Sequence, residues 1–451
     1  MRAHAAPAAI LLFALALGGC ATQPAPDLAQ LAKRNDVPVV IVPGLLGSRL
    51  ADRKTGVEAW PGSTRKLLTS GYLPLALRID PKTLEPKDDG LFATGLFDGV
   101  IGLDFYGKVV RALQEFGGYQ RGEPGLPVTG HKAQFYTFAY DWRQDNVVTV
   151  RALDALIEQI RRDYGDPELR VDVIAHSMGG LVVRYYERYG TADVLTGNSF
   201  PVTGAGARKL RRVVLLGTPN EGSVSAIHHF LDGYRVGVSR MPNEGIATMP
   251  STYQLFPHPL VPWIATTRGQ TLKRDLFDVN VWKRLGWSVF DRNLRRRIVR
   301  SPDLWPSPAV FERYFAKHLE RARRFVWSLD VPVGEVKLVE PLLLGGDCLP
   351  TPSRLVVEEV DGEFLARLVP EQILQRVPGI DYDKLMYEPG DKAVTKASLL
   401  GEHPLDPSGA STRHQDVEFD KSYFICEEHG KLTGNAEFLD HLLHYLLGPE
   451  S

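Results

Sequence analysis

Ile174, Ala175, His176, Ser177, Met178, Gly179 and Gly180 join an apolar run to a segment with apolar residues at helical spacing. A serine hydroxyl becomes a nucleophile only when a base takes its proton. A sharp strand-to-helix turn exposes such a serine and aims the following amide, here that of Met178, at a developing oxyanion. The small residues on either side, Ala175 and Gly179, suit a turn that crowds its own neighbours, with alanine standing where glycine is usual. The same residues also fit a plain helix N-cap serine. Partners of a serine on this turn follow in the order acid, then histidine. His429 lies between the last strand-like run and the final helical one and is the candidate base. Two aspartates compete as acid: Asp391, on a turn after a short apolar run, and Asp347, on a turn after residues 339–344. Order alone leaves them even. The glycine-rich stretch Pro43, Gly44, Leu45, Leu46, Gly47, Ser48 offers a second oxyanion loop, or an ordinary β-turn.

These groups need elements to hold them. Residues 37–42 form a β-branched run without alternation, as in a strand buried on both faces. Residues 134–140, 169–175 and 213–216 read as further strands, and residues 148–164 as an amphipathic helix. A helix follows the serine to about Tyr189. Strands alternating with helices predict an α/β fold with a mostly parallel sheet. From about 223 to 330 the alternation stops, which predicts an insertion over the sheet. Strand-like runs resume at 335–344, 354–359 and 422–426, and a helix spans 436–447.

The chain has 451 residues with 44% hydrophobic and 24% charged residues, close to globular averages, which excludes collagen-like, disordered and polytopic membrane classes. Its formal charge of −1 supplies no global field for nucleic acid. Three cysteines, with no CxxC or Cys/His cluster at zinc spacing, argue against a structural metal. Most of the 12 histidines are read as surface or packing residues, His441 and His444 on the final helix among them. A basic start, an apolar run over residues 8–17 and then Gly18, Gly19 and Cys20 resemble a bacterial lipoprotein signal. The resemblance implies cleavage before Cys20, acylation of its thiol and tethering in the cell envelope, with Ala21 pointing to the outer membrane. Cys348 and Cys426 remain outside the signal, and an oxidising compartment would allow them to pair.

Further stretches carry a wider resemblance. Residues 38–50, the Phe138 to Arg143 sequence FAYDWR, AHSMGGLVVRYY around Ser177, and VVLLGTPNEGS resemble motifs of the lecithin:cholesterol acyltransferase family. So do MPSTYQLFP (Met249 to Pro257), GDCLPTPSRL and YEPGDKAV. The resemblance implies an α/β-hydrolase fold with a large lid or cap insertion. It places Asp391 on the family's catalytic aspartate, Leu46 on the second oxyanion donor and His429 on the base. Lys392 and Ala393 depart from the family pattern. The implied divisions are a signal at 1–19, a leader at 20–36, a first core part at 37–222 with an early insertion near 51–105, a lid at 223–330 and a second core part at 331–451. The implied activity is removal of an acyl group from a phospholipid or other lipid ester by Ser177 and its transfer to a lipid alcohol or to water, with no cofactor. A carboxylesterase or triacylglycerol lipase is the alternative, and a non-catalytic lipid-binding lipoprotein is a third reading.

Within residues 223–330, Trp263, Trp282, Trp287 and Trp305 alternate with Lys273, Arg274, Lys283, Arg284, Arg292, Arg295, Arg296 and Arg297. Indoles at headgroup depth with cations on phosphate would make this a lipid-facing surface. A plain solvated face and a nucleic-acid surface are the rival readings, the second weaker in a chain without net positive charge.

Overall fold

Val39–Val42 is a run of β-branched residues that are all buried, and it forms a central strand, β1. The computed structural model describes residues 28–62, 71–98, 105–236, 239–302, 304–404, 413–415 and 417–449. With β1 lie β2 (Gln120–Arg121), β3 (Gln134–Thr137), β4 (Val171–His176), β5 (Leu210–Leu216), β6 (Leu342–Gly346) and β7 (Lys421–Ile425). The strand order is β7-β6-β5-β4-β1-β3-β2, and each of these pairings is parallel. Parallel neighbours require crossovers. Helices α1 (Gly107–Glu115), α2 (Asn146–Tyr164) and α3 (Met178–Tyr189) lie on three of them, and α4 (Ala436–Leu447) closes the chain.

Alternate residues of a strand face opposite sides of the sheet. Val40, Val42, Val173, Ala175 and Val213 accordingly belong to one buried cluster, and Val39, Ile41, Ile174, Val214, Leu342 and Leu344 to the other. After β1 the chain builds β2 and β3 on one side and β4 onward on the other. The carboxyl ends of β1 and β4 therefore flank a switch point, where a parallel sheet opens a crevice.

Several boundaries differ from the sequence reading. The run at 335–344 yields a strand only from Leu342, because Pro341 has no amide hydrogen for a ladder. The strand Leu355–Val360 lies outside the main sheet and pairs in parallel with Ile264–Thr266 of the insertion. Helix α2 starts at Asn146, where Asp145 caps it by accepting from the Val147 amide.

The lipid-facing reading of the insertion tryptophans is corrected here. Trp263, Trp282, Trp287 and Trp305 are 3%, 1%, 6% and 1% exposed. Trp263, Trp282 and Trp287 donate their indole N–H to the carbonyls of Arg274, Leu276 and Phe364. An indole in an apolar core usually keeps a partner for its one polar group; Trp282 also stacks on Phe256 and meets Phe315 edge-on, and Trp305 stacks on Phe311. Basic residues between them pair with acids, as Arg295 does with Glu312 and Arg297 with Glu244. The long helix Pro308–Asp330 completes the insertion. Its Phe325 stacks on Tyr185 of α3, so sheet and insertion share one core.

Candidate active site

Ser177 sits between β4 and α3 with φ 54° and ψ −126°, a backbone conformation that a residue with a Cβ adopts only under constraint. The constraints are visible. The Ser177 amide donates to the Leu216 carbonyl of β5 at 2.8 Å. Gly44 lies against Ser177, and a Cβ there would fall 2.7 Å from the serine Cβ. A Cβ on Gly179 would meet the Val42 and Pro43 carbonyls at 2.6 Å. Ala175 packs into the sheet core, which is how the turn accommodates alanine.

His429 bridges the serine and one of the two competing aspartates. Its Nε2 lies 2.8 Å from Ser177 Oγ and its Nδ1 2.7 Å from Asp391 Oδ2. Asp391 is fully buried; its Oδ1 accepts from the Ala393 and Val394 amides at 3.0 and 2.7 Å, and its carbonyl accepts from the His429 amide at 2.9 Å. Burial pushes the His429 pKa down, but the charge and hydrogen bond of Asp391 outweigh it and leave His429 above its ordinary value. Asp347 instead pairs with Lys396, 2.8 Å away.

Met178 is the first residue of α3, where an amide has no intrahelical acceptor. Leu46 has φ 64° in a turn closed by the Gly47 amide on the Gly44 carbonyl, and it lines the same cavity as Ser177. Two nearby positions, one under each oxyanion candidate loop, thus carry positive φ on non-glycine residues.

The FAYDWR stretch supports the loop after β1. Tyr140 donates its hydroxyl hydrogen to the Pro43 carbonyl at 2.7 Å, and the Trp142 indole donates to the Ser48 carbonyl at 3.1 Å. Arg143, fully buried, grips Asp89 with two nitrogens and Asp141 with two. Desolvation opposes its charge, but Asp141 and Asp89 together raise its pKa. From the insertion, Ser251 donates to the Trp142 carbonyl and Gln254 to Asp145. Thr351, in the GDCLPTP stretch, accepts from the Lys392 amide. The stretches that carried the family resemblance are scattered over the sequence; most contribute to the lining of one cavity, and FAYDWR and GDCLPTPSRL hold its neighbouring loops.

That cavity measures about 360 Å³. Leu45, Trp60, Phe97, Val236 and Leu255 are among its apolar lining, with Ser177 and His429 also in its wall. A separate small cavity of about 20 Å³ shares Ala226 and Leu255 with it and is also lined by Met241, Ile246 and Met249.

Cys348 and Cys426 form a disulfide with Cα atoms 5.1 Å apart. Cys426 is three residues before His429, and Cys348 abuts Leu349, which bridges to Asp391. The bond therefore joins the loops that hold the acid and base candidates. Among the described residues one group has the makings of a metal site: Glu221, His258 and Asp330, whose ligand-type atoms lie within 4.8 Å of one another. The imidazole stands between the carboxylates, with Nε2 3.0 Å from Asp330 and Nδ1 3.9 Å from Glu221. This arrangement ties His258 and Asp330 of the insertion to the loop after β5, and none of the three residues lines the Ser177 cavity. Cys20 and the signal lie outside the described residues, among which no helix is long and apolar enough to cross a membrane.

A family model described as lecithin:cholesterol acyltransferase matches residues 100–304. The chain superposes on a protein of the Tle4-Tli4 complex with a TM-score of 0.55 at 16% identity, covering 91% of this chain and 98% of that one. The chain has an α/β-hydrolase fold. Lipase 1 from Pelosinus fermentans gives a TM-score of 0.37 at 13% identity over 92% of this chain and 100% of its own. The mature Bacillus licheniformis lipase BlEst2 gives 0.35 at 13% over 91% and 92%. No curated protein sequence matches the chain.

Sequence reasoning does not single out Tyr106, Tyr140 or Thr351 as site residues. Each of these hydroxyls bonds a backbone group far away in sequence, and a hydroxyl leaves no spacing signal. FAYDWR was noted as a match, but its task of holding the loop after β1 was not readable from the residues.

Proposed function

We propose that the protein is a serine esterase or lipase that cleaves lipid esters through an acyl-Ser177 intermediate. His429 takes the serine proton as general base and returns it to the leaving alcohol, while Asp391 holds the imidazole and offsets its positive charge. The amides of Met178 and Leu46 receive the oxyanion. Water then attacks the acyl-serine with His429 again as base, releasing the acid. The observation that carries this reading is the Ser177–His429–Asp391 row, at 2.8 and 2.7 Å, in the wall of an apolar cavity. The apolar lining suits an acyl chain, and carboxyl esters of lipids are the substrate class it favours.

Acyl transfer to an alcohol is a second reading, favoured by the description of the matching family model. Transfer requires that an acceptor outcompete water at the acyl-enzyme. The surface indoles expected to gather a lipid alcohol are core residues, which removes the support that the insertion lent to transfer. Hydrolysis is therefore the main proposal.

A fluorophosphonate probe tests the nucleophile: wild type should label and Ser177→Ala should not, while labelling that survives the substitution would refute the assignment. Phospholipid and triglyceride vesicles, with and without a long-chain alcohol or sterol, then separate the outcomes. Free fatty acid as the main product in every mixture supports hydrolysis, and acylated acceptor as the main product would favour transfer. We further propose envelope tethering through an acylated Cys20. Cys20→Ala should move the protein out of the membrane fraction with soluble-ester activity intact, and wild type that is soluble without detergent would refute the anchor.

A further inference from the structure

We propose that Tyr106 and His176 are positioning residues, a buried hydrogen-bonded relay that holds the loop after β1 and the main chain of His429 in register with Ser177. The inference rests on the serine-hydrolase reading above.

Tyr106 immediately precedes α1 and is buried. Its hydroxyl oxygen lies 2.9 Å from the Gly44 amide nitrogen and 2.9 Å from His176 Nδ1. The Gly44 amide can only donate, so the phenol accepts from it; the His429 carbonyl facing Nε2 can only accept, so a neutral His176 ring carries its hydrogen on Nε2 and the phenol gives its own hydrogen to Nδ1. Nε2 lies 3.4 Å from the His429 carbonyl oxygen. A fixed donor at one end and a fixed acceptor at the other thus set the direction of every hydrogen in the row, from the Gly44 loop to the histidine loop. His429 is then held at both ends of its main chain, its amide on the Asp391 carbonyl and its carbonyl facing His176.

The relay must also stay uncharged. The His176 and His429 rings are 5.1 Å apart, and His429 becomes a cation when it takes the Ser177 proton. A second cation there would oppose that step. Burial first, and then repulsion from His429, push the His176 pKa down to about 3, while burial raises that of the Tyr106 phenol. The contacting partners are Gly44, Tyr106 and His429, and none supplies a carboxylate that would favour a charged His176.

Packing alone would also explain two buried rings, and Tyr106→Phe separates the alternatives because it keeps the ring and removes only the hydroxyl. A misplacement of about 1 Å at a catalytic group can cost about a hundredfold in rate, and a smaller one correspondingly less. On a soluble ester, Tyr106→Phe is expected to lower kcat about 10- to 100-fold, with KM within about twofold and a matching slowing of fluorophosphonate labelling. His176→Asn, which keeps an acceptor near the Nδ1 position, should retain more activity than His176→Phe. Nitrogen-15 NMR of histidine-labelled wild type, with His176 assigned from His176→Asn, should show a neutral ring bearing its hydrogen on Nε2. This readout needs no variant to be active. Tyr106→Phe with kcat within twofold of wild type, or a His176 ring protonated on Nδ1, would overturn the relay. If Ser177→Ala still labels, the hydrolase reading has failed; if it does not label but Tyr106→Phe is unaffected, only the relay has.

Discussion

Replacing Asp391 by asparagine tests the acid assignment in a way whose outcome the local hydrogen bonds dictate. Asp391 Oδ1 accepts from two amides, those of Ala393 and Val394. An asparagine NH2 group cannot face two N–H donors, so its carbonyl oxygen must take that position. The NH2 then points at His429 Nδ1, where the carboxylate oxygen now lies at 2.7 Å. A donor there forces Nδ1 to be bare and puts the imidazole hydrogen on Nε2, facing Ser177 Oγ. The base would then present a hydrogen where it needs a lone pair. Loss of the correct tautomer and of the compensating charge is worth roughly 10³- to 10⁴-fold in kcat, or about 4 to 5.5 kcal/mol of activation free energy. The assay is steady-state hydrolysis of a short p-nitrophenyl ester by folded protein, with an Asp347→Asn control. Asp347 pairs with Lys396 and should tolerate the change within about tenfold. Asp391→Asn within tenfold of wild type, or Asp347→Asn the more damaging of the two, would refute the assignment.

Because His429 must be neutral to accept a proton and Asp391 holds its pKa above the ordinary 6.5, kcat/KM should fall on the acid side with a midpoint above 6.5; initial rates across about pH 5 to 9 would show it, and a lower midpoint would count against the pairing. Breaking the Cys348–Cys426 bond, which spans 78 residues, should cost about 4.5 kcal/mol by the chain-entropy model. Urea titration of Cys426→Ser would measure that loss, and mass spectrometry of an unreduced digest would establish the bond. Glu187, buried in α3, has its carboxyl pushed up to about 8 by burial, against the pull of Arg184 and Arg188. The folded state then keeps a proton that the unfolded chain gives up near 4.5, so stability should decline as pH rises from about 4.5 to 8, by at most about 1.4 kcal/mol per unit. Denaturant midpoints at both ends of that window should show a flatter dependence in Glu187→Gln, and equal slopes would remove Glu187 as the cause.

Local signals made the centre of the sheet legible. The run at β1 is apolar on both faces and that at β4 nearly so, with Asp172 and His176 on one face, and the glycines after Ser177 mark a turn that tolerates no side chain. Bare order could not choose between Asp347 and Asp391, because both follow apolar runs on turns. Their difference lies in what faces them, a lysine in one case and an imidazole in the other. The tryptophans misled because an indole beside an arginine looks alike in a sequence whether the chain turns it outward or inward. What decided the matter was the pairing of Ile264–Thr266 with Leu355–Val360 and the packing of Pro308–Asp330 on α3, contacts between segments far apart in sequence.

The shared core of sheet and insertion has a consequence for motion. Phe325 on Tyr185, Arg184 on the Leu329 carbonyl and Arg321 on Asp145 and Asp193 join the long insertion helix to the body of the protein through buried or half-buried contacts. A hinge that swung this helix away as a unit would have to expose aromatic core and break these pairs together, which belongs to partial unfolding more than to a catalytic cycle. Access to Ser177 must therefore be controlled by something smaller. The segment Tyr234–Val236, which touches the cavity through Tyr234, Arg235 and Val236, is of that size. Gating on this scale would admit an acyl chain by the displacement of a few side chains, on the timescale of loop motion, while the bulk of the insertion stays in place.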